Sequence, residues 1–143
     1  FVNSQLVIRV GMRRMLIAAF GSQTAFAAIA FGLWTFGGLE TASDPLRIAV
    51  FMAWSFSLFF INGLTLGNVT ALAMEPLPHV AGTAAAVIGA IGIGLGMPIA
   101  AGLGQAFDGT PRPIMLGAFA CSLAALLLVV TDMNRERQRQ RDK

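Results

Sequence analysis

Charged residues are scarce in this sequence. They make up 12% of its 143 residues, whereas hydrophobic residues make up 56%. Soluble domains carry about 25% charged residues, so a chain with half that share is better suited to lipid than to water. The same composition excludes intrinsic disorder, which requires low hydrophobicity and high charge.

Groups that carry chemistry are equally scarce. Cys121 is the single cysteine and His79 the single histidine. One thiol can form neither a disulfide within the chain nor a multi-cysteine zinc site. The sequence also shows no Ser–His–Asp set, no cluster of metal ligands and no phosphate-binding loop. We therefore expect no enzymatic activity, no cofactor and no bound metal.

Long uncharged stretches are what the sequence does contain, and each holds at least 19 residues. A bilayer core requires about 20 helical residues, and in lipid every backbone polar group must be paired within its own segment. The pattern predicts an all-α integral membrane protein with a transmembrane region at 15–131. Its four transmembrane helices are expected at residues 15–37, 47–72, 80–106 and 113–131.

The distribution of Lys and Arg predicts the orientation. With four spans, both chain ends lie on the same side of the membrane. Eight of the ten basic residues lie on that side, and only Arg47 and Arg112 lie on the other. Because cytoplasmic loops are enriched in Lys and Arg, we expect both ends in the cytoplasm. Residues 1–14 are expected to form the end of a preceding helix and a basic cytoplasmic loop, and residues 132–143 a basic cytoplasmic tail.

Polar side chains within the second span are the first candidates for function. Asn62, Thr65 and Asn68 form a slowly drifting stripe, and Gln23 is the corresponding polar residue of the first span. Buried amides need partners, so these residues should face other helices or a water-filled cavity rather than lipid. Two interpretations stay open, namely hydrogen bonding between helices and the lining of a substrate path.

Glycines dominate the third span. Gly92 and Gly96 recur at helical spacing on one face, where another backbone can approach closely. Pro98 removes the hydrogen bond to the Gly94 carbonyl and is expected to kink or loosen the helix. The pattern is compatible with tight packing and with a helix that bends or slides during transport.

The stretch from Gly67 to Gly92, GNVTALAMEPLPHVAGTAAAVIGAIG, resembles the tenth and eleventh helices of drug:proton antiporters of the major facilitator superfamily, and most closely their bicyclomycin-resistance group. The opening NSQLVIRVGMRR is similar to the end of helix eight and the following cytoplasmic loop. Gly94, Gly96 and Gly102 with Pro98 are similar to the glycine–proline motif of helix five in such antiporters, to which helix eleven is the counterpart in the second half.

This resemblance implies that the four spans are helices nine to twelve of a twelve-helix transporter in a bacterial inner membrane. It implies export of small amphipathic, drug-like molecules, with the proton as the coupling ion and the missing N-terminal part of the same transporter as partner. A proton-coupled pump needs an ionisable group in the membrane. Because no Asp, Glu, Lys or Arg lies inside the four spans, apart from Arg47 at the first residue of the second span, that group is expected in the missing part.

Two alternatives remain open from the residues alone. A small exporter that works as an oligomer would rely on a carboxylate in its first helix, and none lies between Arg14 and Glu40. A stand-alone membrane accessory or assembly subunit would need no coupling residue. Nucleic-acid binding by the basic tail is not expected, because membrane anchoring accounts for its charge.

Overall fold

The computed structural model describes residues 11–76 and 78–141. This part of the chain is helical throughout and contains no strand, as the sequence predicts. The predicted end of a preceding helix, at residues 1–8, lies outside the described residues. The four long helices are α1 (Met12–Phe36), α2 (Asp44–Met74), α3 (Ala81–Gln105) and α4 (Arg112–Arg141), with short 3-10 turns at Leu39–Thr41 and Pro78–Val80.

Local sequence explains where the helices begin and end. α1 follows Gly11 and stops before Gly37, whose N–H donates to the Leu33 carbonyl, and Gly38 then takes a left-handed conformation with φ of 67°. Glycine adopts that conformation without steric strain, which lets the chain reverse here. α2 begins after Ser43 with a proline in its first turn, where the missing N–H removes no helical hydrogen bond.

α4 extends about ten residues beyond the end predicted for the last span. It reaches Arg141, so the segment predicted as a solvated basic tail is helical as far as the structure describes it. Its Arg, Gln and Glu residues are good helix formers, and nothing in RERQRQR breaks the hydrogen-bond ladder that the apolar part of α4 begins.

α1 is the central helix of the bundle and packs mainly against α4 and also against α2. Its buried face repeats at spacings of three, four and seven residues, as expected for a helix that contacts neighbours along one side. The core cluster at one end of the bundle joins Ala30 and Trp34 of α1 to Trp54 of α2 and Met115 of α4. The buried residues are Leu16, Gln23, Ala27, Ala30 and Trp34 on this face, together with Met15 beside it.

Trp54 is 5% exposed within this core cluster. Its ring packs near Phe51 of the same helix, with 5.8 Å between the ring centroids. Trp54 therefore contributes apolar area that holds α2 against α1, in the way buried aromatic pairs do.

Ion pairs hold the helix ends together at both ends of the bundle. Arg13 lies 2.9 Å from a carboxylate oxygen of Asp132, 2.9 Å from one of Glu136 and 3.6 Å from one of Glu75. This single guanidinium thus connects α1, α2 and α4. At the opposite end, Arg112 pairs with Glu40 at 2.6 Å and ties the start of α4 to the turn after α1.

α3 lies at the edge of the bundle. It touches α2 and α4 only sparingly, and Ala84 is its one buried residue among those described. The helix is continuous through Pro98. α3 is therefore held far less firmly than the other three helices, which form a compact unit around α1.

Candidate functional site

An open cavity lies at the end of the bundle where α2 and α4 begin and α3 ends. Its volume is about 950 Å³, close to the upper limit of typical small-molecule sites. Most of its wall is apolar, with charge only where Asp44 and Arg47 lie at the start of α2. The residues that form the wall include Trp34, Phe51, Met52, Ala100, Leu103 and Phe107.

The aromatic and cationic part of the cavity is set by α1 and α2 together. The Arg47 guanidinium lies 6.0 Å from the centroid of the Trp34 ring, within the range of a cation–π interaction. An Arg47 nitrogen also lies 3.4 Å from an Asp44 carboxylate oxygen. The cavity therefore has a large apolar surface and one cationic side chain, Arg47, whose charge is partly compensated by Asp44.

Trp34 contributes aromatic surface to this wall rather than a hydrogen-bond donor. The residue is 4% exposed, and its indole Nε1 is buried and donates to no acceptor among the described residues. A buried N–H without an acceptor costs about 1–3 kcal/mol.

The residues predicted to lie on a substrate path occupy a different part of the bundle. Gln23, Thr65 and Asn68 are buried between the helices, whereas Asn62 is exposed on α2. None of the four lines the cavity. The structure therefore places three of them in the compact helical unit, and their predicted role in transport stays a prediction.

Two of these polar groups are satisfied by carbonyls of their own helix. The Thr65 hydroxyl lies 3.0 Å from the Ile61 carbonyl, and the Asn68 amide donates to the Leu64 carbonyl at 2.6 Å. The Asn68 amide nitrogen also lies 4.0 Å from the Met15 sulfur of α1. Bonding to the carbonyl four residues earlier is a common way for such side chains to be accommodated inside a helix.

Gln23 differs from its neighbours. It is 5% exposed, and neither the oxygen nor the nitrogen of its amide forms a hydrogen bond with a described residue. The next residue supplies a polar contact between helices instead, because the Thr24 hydroxyl lies 3.2 Å from the Ser122 hydroxyl of α4. In the described part of the chain, the interhelical hydrogen bond expected of Gln23 is therefore made by its neighbour.

The glycines predicted to mark a packing or gating face lie on open surface. A Cβ atom added at Gly92, Gly94, Gly96 or Gly102 would meet nothing within 4 Å among the described residues. Pro98 lies on the same exposed part of α3. The described residues therefore provide no neighbour for this face, and the packing and gating roles stay predictions.

Sequence reasoning missed the cavity because its wall comes from four helices and from the turn between α3 and α4. Trp34, Arg47 and Phe107 belong to different parts of the chain, and no spacing along one helix connects them. The available signal was weak. Aromatic and charged residues at span ends also arise from the ordinary preference of such residues for membrane interfaces.

All four helices are long and apolar enough to cross a membrane, which indicates a membrane protein with several spans. In the described part of the chain, no group of His, Cys, Asp and Glu residues is arranged to hold a metal ion. Comparison with known protein families, with characterised proteins and with solved structures finds no match to this chain.

Proposed function

We propose that this chain is the C-terminal part of a proton-coupled multidrug efflux transporter of the major facilitator superfamily that exports small amphipathic molecules. The observation that carries the proposal is the largely apolar cavity of about 950 Å³. Its volume suits a drug-sized ligand. Arg47 provides a polar contact that can orient such a ligand.

The exposed glycine face of α3 also supports this proposal. A helix that slides past another needs a smooth surface, and small residues provide one because they let backbones approach closely. We assign the missing N-terminal part of the transporter as the partner that covers this face. The group that carries the proton belongs to that part, because Asp, Glu, Lys and Arg occur only at the ends of the four spans and not in their interiors.

The proposed location is the bacterial inner membrane with both chain ends in the cytoplasm. Arg13 pairs with Asp132 and Glu136, so the basic residues flanking α1 and α4 lie at the same end of the bundle. The positive-inside rule assigns that end to the cytoplasm.

In a Cys121→Ser background, Arg139→Cys should react with a membrane-impermeant maleimide only in opened cells, whereas Thr41→Cys should react in intact cells.

Ligand binding at the cavity can be measured with its own tryptophan. The sequence has two tryptophans, so Trp54→Phe leaves Trp34 as the only reporter. Titration with Nile red, a neutral amphipathic dye, should quench Trp34 fluorescence saturably. Ala100→Phe should abolish this quenching by filling the cavity, whereas the matched variant Ala90→Phe, also exposed on α3 but outside the cavity wall, should leave it unchanged. Equal effects of the two variants would exclude the cavity as the binding site.

Export must then be measured with the complete coding sequence. Cells that express it should accumulate less dye than cells without it, and a protonophore should abolish the difference. Export that survives the protonophore would contradict proton coupling. Saturable dye binding without export, together with stable co-purification of a second membrane protein, would favour the accessory-subunit alternative.

A further inference from the structure

A second, smaller cavity lies at the opposite end of the bundle. Its volume is about 300 Å³, and it is formed where α1 begins and where α2 and α4 leave the apolar region. Three arginines lie around it, namely Arg13, Arg14 and Arg137. The rest of its wall consists of Gly11, Met12, Leu72, Glu75 and Met133.

The three arginines differ in what they already bind. Arg13 is engaged by the carboxylates of Asp132, Glu136 and Glu75. Arg14 and Arg137 are exposed, and neither forms an ion pair within residues 11–76 and 78–141. The cavity therefore has two guanidinium groups free to bind an anion, beside a third whose charge is compensated.

The position and the wall of the cavity restrict the kind of anion. The cavity lies where apolar helix gives way to charged helix, which is the depth of lipid headgroups in a bilayer. Basic pockets between helices at this depth bind anionic headgroups. Met12, Leu72 and Met133 add an apolar wall that a free inorganic anion would not use.

We propose that this cavity binds the phosphodiester headgroup of an anionic phospholipid, held by Arg14 of α1 and Arg137 of α4. A guanidinium group matches phosphate oxygens in a bidentate geometry. The start of the acyl chains lies against the apolar wall. The exposed Arg135, Arg139 and Arg141 on the last turns of α4 raise the positive potential around the site without lining it. The bound lipid bridges α1 and α4 beside the Arg13 ion pairs.

The test compares lipids that differ in headgroup charge. The purified chain in neutral detergent is mixed with equal amounts of phosphatidylglycerol and phosphatidylcholine, and bound lipid is counted by native mass spectrometry. Each basic residue near a membrane surface changes affinity for anionic lipid about fivefold. The wild type should therefore prefer phosphatidylglycerol by at least about tenfold. An absence of preference in the wild type would overturn the proposal.

Matched variants locate the site. Arg14→Gln with Arg137→Gln should reduce the preference to under about twofold, whereas Arg135→Gln with Arg139→Gln, an equal change of charge outside the cavity, should retain most of it. Equal losses in the two double variants would show diffuse attraction to the basic helix and overturn the proposal. Arg14→Lys with Arg137→Lys keeps the charge and should give a preference between those of the wild type and the glutamine double variant. The lysine double variant takes the place of the glutamine one if the latter does not fold.

Inorganic phosphate separates a lipid site from a site for a free anion. At about 10 mM it should displace little phosphatidylglycerol, because it lacks the contacts with the apolar wall. Complete displacement at that concentration would overturn the lipid assignment. This site is independent of transport, so loss of the lipid preference and loss of dye export can be told apart.

Discussion

Leu103 of α3 lies directly over Gly117 of α4, so close that a Cβ atom added to Gly117 would come within 2.6 Å of the Leu103 Cδ2 atom. Real Cβ atoms do not approach other atoms so closely. The Leu103 side chain thus fills the space that the glycine leaves open. This contact is one of the few that attach α3 to the rest of the bundle.

Gly117→Ala should destabilise the packing of α3 against α4. Overpacking costs about 1–3 kcal/mol. Because the Leu103 Cδ atoms are the end of a flexible side chain that can shift, we expect the low end of that range, a free energy of unfolding in detergent about 1 kcal/mol lower than in Gly96→Ala. Gly96→Ala is the matched control, because its Cβ would meet nothing within 4 Å. Combining Gly117→Ala with Leu103→Ala should restore part of the loss. Equal stabilities of the two single variants would contradict this account.

Gln23→Met should make the protein more stable. A buried amide without hydrogen bonds costs about 1–3 kcal/mol, and methionine is apolar with a similar shape, so the free energy of unfolding should rise by about 1 kcal/mol. If Gln23 serves the substrate path, the same variant should lose dye export. Thr65→Val is the comparison, since the Thr65 hydroxyl is already hydrogen-bonded and should show no such gain. A destabilised Gln23→Met variant would mean that the amide is not a source of instability.

Arg13→Gln should loosen three helix ends at once. It removes a cation from between Asp132, Glu136 and Glu75, and exposed pairs contribute about 0.2–1 kcal/mol each. We expect a loss on the order of 1–2 kcal/mol that shrinks at high salt, because screening weakens exposed pairs. Arg135→Gln, without an ion pair in the described part of the chain, is the control. Asp132→Asn should cost more than Glu75→Gln, because its oxygen lies at 2.9 Å and that of Glu75 at 3.6 Å. A reversed order would count against this arrangement.

Thr110 should control the acidity of Asp108 in the turn between α3 and α4. Hydrogen bonds from the Thr110 hydroxyl, and then from its backbone N–H, lower the pKa of Asp108 below its ordinary value. Because this pKa is lower in the folded than in the unfolded chain, the ionised carboxylate stabilises the folded turn at pH values above the unfolded-state pKa. This contribution is lost as pH falls through the folded-state pKa.

Thr110→Val removes the hydroxyl and should raise the pKa of Asp108 towards its ordinary value in an NMR titration. Thr41→Val is the control, because the Thr41 hydroxyl donates to the Gly38 carbonyl instead and should leave the pKa of Asp108 unchanged. An unaltered titration in Thr110→Val would show that the hydroxyl does not stabilise the carboxylate.

The four helices could be predicted because bilayer thickness and the exclusion of charge determine their length and place. α1 begins at Met12 against a predicted 15, and α3 spans Ala81–Gln105 against a predicted 80–106. The continuation of α4 to Arg141 was missed for a physical reason. A charged segment reveals that its side chains are solvated, but it says nothing about whether its backbone leaves the helix.

The arrangement of the helices could not be predicted in the same way. In water a helix shows its packing face by a change from polar to apolar residues, whereas lipid is as apolar as a helix interface. Phe56 on an exposed face of α2 and Trp54 on a buried one are therefore equally compatible with the sequence. The glycines of α3 predicted close packing, but glycine shows only where a neighbour can approach, and within residues 11–76 and 78–141 that surface is open.

The central place of α1 has a consequence for how the protein is made. Its most extensive neighbour is α4, the last of the described helices to leave the ribosome, and the carboxylates of Asp132 and Glu136 lie near the end of that helix. α1 is therefore synthesised long before the helix that supplies most of its contacts. The two ion pairs by which Arg13 joins α1 to α4 can both form only when translation has passed Glu136.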